Sequence, residues 1–354
     1  MKKFEKRAYG NGRRVFIDIQ IRCFFLIFLI LSSCSEKKES ILDLFNQITV
    51  LRGDTLPFQP FLGQPFQVLK TDSFFLVRDQ YENHSITVIN QFTGESKRTL
   101  RHGSGPNEVV QPVLFSQLIN DSILNIFERN TSTIIQFRLE DILFENNPTV
   151  IKKTKLDGFV GLIQEAKDFY VALGPFEKGM FGIFNKDGQK RHEYISYLNE
   201  DGKFSEPFFR FYVYQSDIKL SSDGRKLVQA GLYYDLLCFY RIDKDNISVH
   251  RKYFFNDANV DGTRSRLILL PNTKLCFYSL YPTENKVYAL YSGDEHGNRN
   301  QTRSFYLLCF DWDGNPLKAY KFDRSLLSIW VNKSDTELFG LCMEDEPKIL
   351  CYKL

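Results

Sequence analysis

Histidine is scarce in this chain, with five copies, and none is spaced for a metal. His84, His102, His192, His250 and His296 stand singly, without the His-x-x-x-His or paired Cys/His spacing that a zinc site needs. Net charge is small as well, 46 Lys+Arg against 43 Asp+Glu. Seven of the basic residues and only two of the acidic ones fall in residues 1–33, so the remainder is slightly acidic, and a nucleic-acid footprint is excluded. Long helical periodicity is missing after residue 40. The best helix candidate is Ile41, Leu42, Leu44, Phe45 and Ile48, part of which also reads as strand. The longest apolar run near the N-terminus is Cys23–Leu31, and at ~1.5 Å per residue it covers about half of a bilayer's hydrocarbon core, too little to span it.

That run has the form of a secretory signal: a basic, polar stretch to Arg22 precedes it, and small residues follow. Leu31-Ser32-Ser33-Cys34 resembles the lipobox of bacterial lipoproteins. The resemblance implies cleavage before Cys34, diacylglycerol on its thiol and acylation of its amine, for instance with palmitate. Several acyl chains at ~0.8 kcal/mol per buried CH₂ hold a protein on a membrane where one chain does not. The expected organisation is a signal peptide over 1–33, a lipidated Cys34 with a polar tether to residue 44, and a folded domain over 45–354. The expected location is the outer membrane, on a face that the sequence leaves open.

From Gln47 onward the apolar runs are short, aromatic and β-branched, broken by Asn, Asp, Gly and Ser. One turn type recurs as Thr71-Asp72-Ser73, Asn120-Asp121-Ser122, Ala166-Lys167-Asp168, Ser222-Asp223-Gly224, Thr283-Glu284-Asn285 and Ser334-Asp335-Thr336, each followed by strand formers. Successive steps are 49, 47, 55, 62 and 50 residues. A period of about 50 with four strands per unit marks a propeller. A second turn type falls between these, at residues 90–94, 185–188, 243–246 and 311–314, where a third strand turns into a fourth. The fold expected is therefore all-β, a six-bladed β-propeller of four-stranded antiparallel blades. The last unit runs out of chain before its fourth strand, and the segment around Ile48–Arg52 is expected to supply it, closing the ring.

These features resemble the TolB-like six-bladed β-propeller lipoproteins, exported Gram-negative proteins without a settled molecular function. Arg101-His102-Gly103-Ser104-Gly105-Pro106-Asn107-Glu108 is similar to their Gly-x-Gly-Pro-x-Glu loop after the first blade, and Ser221-Ser222-Asp223-Gly224 to the Ser-Pro-Asp-Gly turn of TolB-type blades. Tyr288–Gly293 and Phe310–Gly314 resemble fifth-blade strands of that family.

No catalytic spacing is visible. The loops between second and third strands, with the blade-to-blade connections, are expected to ring one mouth of a central channel. They carry Arg78, Asp79, Glu128, Arg129, Tyr234, Asp235, Asp294, His296 and residues 344–346, joined by Arg101, His102 and Glu108 from the family loop. Two readings of Glu108 and its glycines stay open: a tight connection between blades, or groups reaching a ligand. The function expected is non-catalytic binding or scaffolding of a glycan, peptide or protein partner by a monomer held on a membrane, with no cofactor. The alternative is a lactonase- or glycosidase-like hydrolase, which needs carboxylates from several blades converging on the channel. Cys238, Cys276, Cys309, Cys342 and Cys351 lie in apolar strand patterns and read as buried thiols, with Cys342 and Cys351 the one pair placed to face each other across the last hairpin.

Overall fold

The computed structural model describes residues 39–354 except 59, 120–121, 196, 198–203, 245, 264–265 and 298–303. Cys34, the signal segment and most of the tether lie outside the described residues, as do Asn120 and Asp121 of the second turn and Asp245. No helix among the described residues is long and apolar enough to cross a membrane.

Four antiparallel units follow one another in simple order. Blade 1 is Pro65–Lys70, Phe74–Tyr81, His84–Asn90 and Ser96–Arg101; blade 2 is Val113–Ile119, Ile123–Glu128, Thr133–Arg138 and Val150–Lys155. Blade 3 is Leu162–Glu165, Phe169–Leu173, Phe181–Asn185 and Lys190–Tyr194; blade 4 is Ser216–Leu220, Lys226–Gly231, Leu236–Asp243 and Asn246–Phe254. Blade 5 is Lys274–Pro282, Lys286–Glu295, Ser304–Asp311 and the first part of the long strand Pro316–Val331. The second part of that strand, from Leu326, opens blade 6, which continues with Glu337–Cys342 and Lys348–Lys353. First strands of all six blades line one channel, as a six-bladed propeller requires.

Closure differs from the expectation in its residues. Asp54–Thr55 pairs antiparallel with Lys348–Lys353 and is the fourth strand of blade 6, whereas Ile48–Leu51 runs parallel to residues 319–322 at the edge of blade 5. The chain crosses between the two blades at Gly53. Its amide donates to Asp323 (3.2 Å to Oδ1), and a Cβ there would stand 2.5 Å from Cζ of Tyr352. Strand propensity favours Ile-Thr-Val-Leu over Asp-Thr, so the better strand former drew the sequence assignment while the register of the last hairpin selects the poorer one.

The two turn types sit where their chemistry predicts. Residues 71–73, 166–168, 222–224, 283–285 and 334–336 join first to second strands. Third-to-fourth turns share one device: Asn90 Oδ1 accepts the amides of Phe92 and Thr93, Asn185 Oδ1 those of Asp187 and Gln189, and Asp311 Oδ1 those of Asp313 and Asn315. In each, a glycine (Gly94, Gly188, Gly314) adopts the left-handed backbone that closes it. The two long steps are insertions: helix Pro207–Val213 lies before blade 4, and the hairpin Val260–Thr263/Arg266–Leu269 before blade 5. A further helix, Leu139–Phe144, replaces the third-to-fourth turn of blade 2.

Apolar layers fill the spaces between and within blades. Phe75, Phe127, Phe184 and Phe310 are fully buried, each contributing roughly 1.5–3 kcal/mol relative to exposure. The five cysteines of the described chain are free. Cys342 stands opposite Lys348 and Cys351 opposite Phe339, so the last hairpin's register separates the two sulfurs that the sequence had placed face to face.

Candidate functional site

The inner strands enclose a channel cavity of about 420 Å³, within the size range of small-ligand sites. Its wall alternates apolar and aromatic groups (Phe66, Leu114, Leu162, Tyr278, Tyr281, Trp330) with amides and hydroxyls (Gln67, Gln164, Ser279, Ser328). Four cations, Lys70, Arg78, Lys219 and Lys333, line it against one carboxylate, Asp217. That carboxylate is already engaged. Asp217 Oδ1 accepts the Ile218 amide (2.8 Å) and Lys219 Nζ (2.7 Å), and Oδ2 accepts the Leu280 amide of the next blade (2.7 Å).

Arg78 is the one predicted rim residue that lines this cavity. Its Nη1 donates to the Val113 carbonyl of blade 2 (2.6 Å), its guanidinium stacks on Phe66, and its buried Nε has no partner. Burial lowers its pKa to about 10. Lys70, at the end of the first strand of blade 1, lies over the rings of Trp330 (5.4 Å), Phe339 and Phe75, and its Nζ donates to the Thr71 carbonyl. Burial lowers the Lys70 pKa, outweighing the opposing pull of Asp72 and Glu337.

Other predicted rim carboxylates sit in the wall and hold backbone. Asp79 is buried and accepts the amides of Gly63 and Gln64 and the hydroxyl of Thr87. Glu128 is buried and accepts the Val110 amide (2.7 Å) and Thr131 hydroxyl. Glu344 takes the Ser325 amide and hydroxyl, both at 2.8 Å. In all three blades a carboxylate at or close to the end of the second strand clamps the connection that enters the same blade's first strand. Such bonds to an ionised acceptor are worth more than neutral ones. Tyr234 is buried, its hydroxyl shared with Ser216, Gln229 and the Tyr214 carbonyl. Asp235 is buried beside Tyr291, which donates to Oδ2, while Oδ1 has no partner; burial raises its pKa. Asp294 accepts the Ser292 hydroxyl, and His296 is exposed. Arg129 stacks over Phe211 of helix Pro207–Val213, which also packs on Gly161. Sequence reasoning missed this helix. Its signal was present in Glu206-Pro207: Glu206 caps the Phe209 amide and Pro207 occupies the first turn.

A model of the TolB-like 6-blade propeller-like family matches residues 43–334. The chain belongs to that family. Two solved structures share this TolB-like fold: a member of the DUF4221 family from Bacteroides vulgatus, 11% identical with a TM-score of 0.53 over 87% of this chain and 96% of that one, and a putative exported protein from Bacteroides fragilis, 10% identical with a TM-score of 0.55 over 87% and 97%. No curated protein matches the sequence.

The TolB-like loop after blade 1 is held by bonds to its own backbone and to blade 2. Glu108 Oε2 accepts the Gly105 amide (2.9 Å), His102 bridges to Val109, and a Cβ at Gly103, whose φ is +155°, would fall 1.9 Å from the Glu108 carboxylate. Asn107 accepts the Val150 amide, and His102 Nε2 lies 2.7 Å from Gln111 Nε2. Burial, with His84 nearby, lowers the His102 pKa. Arg101 is exposed at the strand end. Among the described residues no group of three or more His, Cys, Asp and Glu is arranged to hold a metal ion.

Proposed function

We propose that this TolB-like chain is an exported lipoprotein, anchored to an envelope membrane through Cys34, whose propeller binds a glycan, peptide or protein partner without turning it over. The observation that carries the reading is the channel: a ligand-sized cavity walled by all six blades, rich in aromatic, amide and cationic groups. A hydrolase of lactonase or glycosidase type needs free carboxylates from several blades in that space. The channel offers Asp217, and both its oxygens are committed. The signal-like N-terminus supports export, and the B. fragilis neighbour is itself described as a putative exported protein.

Two measurements test the halves separately. Feeding cells an alkyne analogue of palmitate should label the parent chain and leave Cys34→Ser unlabelled and released from membranes; equal labelling of both overturns the anchor. Ser279→Phe fills the channel from blade 5. A partner recovered from envelope extract by the parent and equally by Ser279→Phe overturns the channel as the binding site.

A further inference from the structure

We propose that Arg78 holds the carboxylate of a small amphiphile whose alkyl or aryl body lies in the channel. This rests on the channel reading above and goes beyond it by naming a small ligand and the group that anchors it. The guanidinium stands on the cavity wall with its charge uncompensated. The Val113 carbonyl takes one of its N–H groups (2.6 Å), and the buried Nε has no partner. No carboxylate among the described residues offsets the charge: burial is the one influence on its pKa, and it acts downward. Asp79, next in sequence, is occupied by the amides of Gly63 and Gln64 and the Thr87 hydroxyl. Asp217, on the opposite blade, is occupied by Lys219 and two amides. A buried cation without a counter-ion is costly, whereas a carboxylate meets the guanidinium fork with two parallel hydrogen bonds. The missing counter-ion is the ligand's.

The wall around Arg78 restricts what the carboxylate is attached to. Arg78 pairs with Gln67 across blade 1, which sets it level with the start of the first strands. At the first or second position of those strands stand Phe66 of blade 1, Leu114 of blade 2, Leu162 of blade 3 and Leu327 of blade 6, and all four line the cavity. Phe66 is 41% exposed and the three leucines are half-buried, so apolar surface at this level is left uncovered by the blades themselves. Neutral polar groups of the wall are engaged within the protein. Gln67 exchanges hydrogen bonds with the Phe115 backbone, Gln164 donates to the Ile163 carbonyl, and Ser328 accepts the Val68 amide. A sugar or peptide would find few free partners for its own donors and acceptors there, and each one left unpaired costs affinity. A body of carbon loses nothing on entry and gains by covering the apolar ring.

The test is isothermal titration of the full chain in detergent, with detergent-only titrations subtracted, using 4-phenylbutanoate, 4-phenylbutan-1-ol and acetate. Phenylbutanoate should bind, and the alcohol and acetate should each bind at least about tenfold more weakly. Arg78→Met should weaken phenylbutanoate by about tenfold, the worth of one charge-assisted hydrogen bond, and leave the alcohol unchanged. Leu114→Glu, next to the Val113 carbonyl that Arg78 holds, gives the guanidinium a carboxylate of the protein's own. It should weaken phenylbutanoate by a similar factor while Arg78 stays in place. Melting temperatures show which variants are folded. The alcohol binding as tightly as phenylbutanoate, or phenylbutanoate unchanged in either folded variant, overturns the role of Arg78. Acetate binding as tightly overturns the apolar body, and phenylbutanoate held equally by Ser279→Phe overturns its place in the channel. No binding of phenylbutanoate, with an envelope partner still lost in Ser279→Phe, overturns the amphiphile and leaves the channel reading standing.

Discussion

Gly53→Ala is the sharpest perturbation of ring closure that the structure offers. The new methyl would stand 2.5 Å from Tyr352 Cζ and 2.7 Å from its hydroxyl. Tyr352 cannot yield, because its ring is buried against Phe322 with centroids 4.7 Å apart and its hydroxyl bonds Asp323. Relief has to come from the N-terminal segment, which lifts Asp54–Thr55 from the last blade and takes the Gly53 amide away from Asp323. Overpacking of this kind costs about 1–3 kcal/mol, and the lost hydrogen bond about 1 kcal/mol more at this exposed acceptor. With an unfolding entropy of ~2.1 cal/mol/K per residue, a propeller of this size loses roughly 1.5 °C per kcal/mol, so Tm should fall by about 3–6 °C. Asp323→Ala alone should cost about 1.5 °C by the same conversion. Because both act on one crossing, the double variant should fall short of the sum. Calorimetry of the full chain supplies these values, and trypsin should cut faster after Arg52 in Gly53→Ala. A Tm within about 1 °C of the parent, where several are expected, with unchanged cleavage would refute the view that closure at blade 6 carries stability.

Two further outcomes follow from the clamps and the thiols. Burial pushes the Glu344 pKa up, but the Ser325 amide and hydroxyl and the Arg324 guanidinium bring it below the ordinary glutamate range. A depressed folded pKa means stability that is present above the unfolded value and lost as pH falls through the folded one. Plots of Tm against pH should therefore descend below about pH 4.5, and Glu344→Gln should flatten that descent; parallel curves would refute it. Burial pushes the Cys238 thiol up to about 11 and the Cys309 thiol up to about 12, and it raises Cys276, Cys342 and Cys351 too. Mass-mapped alkylation at pH 8 should leave all five untouched in the folded chain and label all five after denaturation, and any sulfur that stays blocked when unfolded would contradict the free-thiol structure.

What the sequence disclosed was whatever depends on a local pattern. The Asx-type turns at 90–94, 185–188 and 311–314 are made by a side chain and the backbone within five residues of it, and the turns between first and second strands are as local, so the spacing of the latter exposed six repeats. Closure failed by one strand for the opposite reason: Asp54–Thr55 is held by residues some 300 positions away, and nothing in its own composition marks it. The candidate site divides along the same line. A charged residue at the end of a strand reads the same in sequence whether it rims a mouth or clamps the backbone behind it. Asp79, Glu128 and Glu344 prove to be clamps, because the connection entering each blade presents free amides just where the second strand ends, and an ionised carboxylate satisfies them better than water. Lys70, Lys219 and Lys333 carry no such mark, standing at strand ends where any solvated charge would be unremarked. Only the ring, by bringing first strands from blades 1, 4 and 6 around one axis, sets three scattered lysines on the wall of one cavity. In a radial fold, a ligand site is therefore sought at equivalent positions of successive repeats, since residues some 50, 150 or 260 positions apart share a wall there while neighbours in sequence do not.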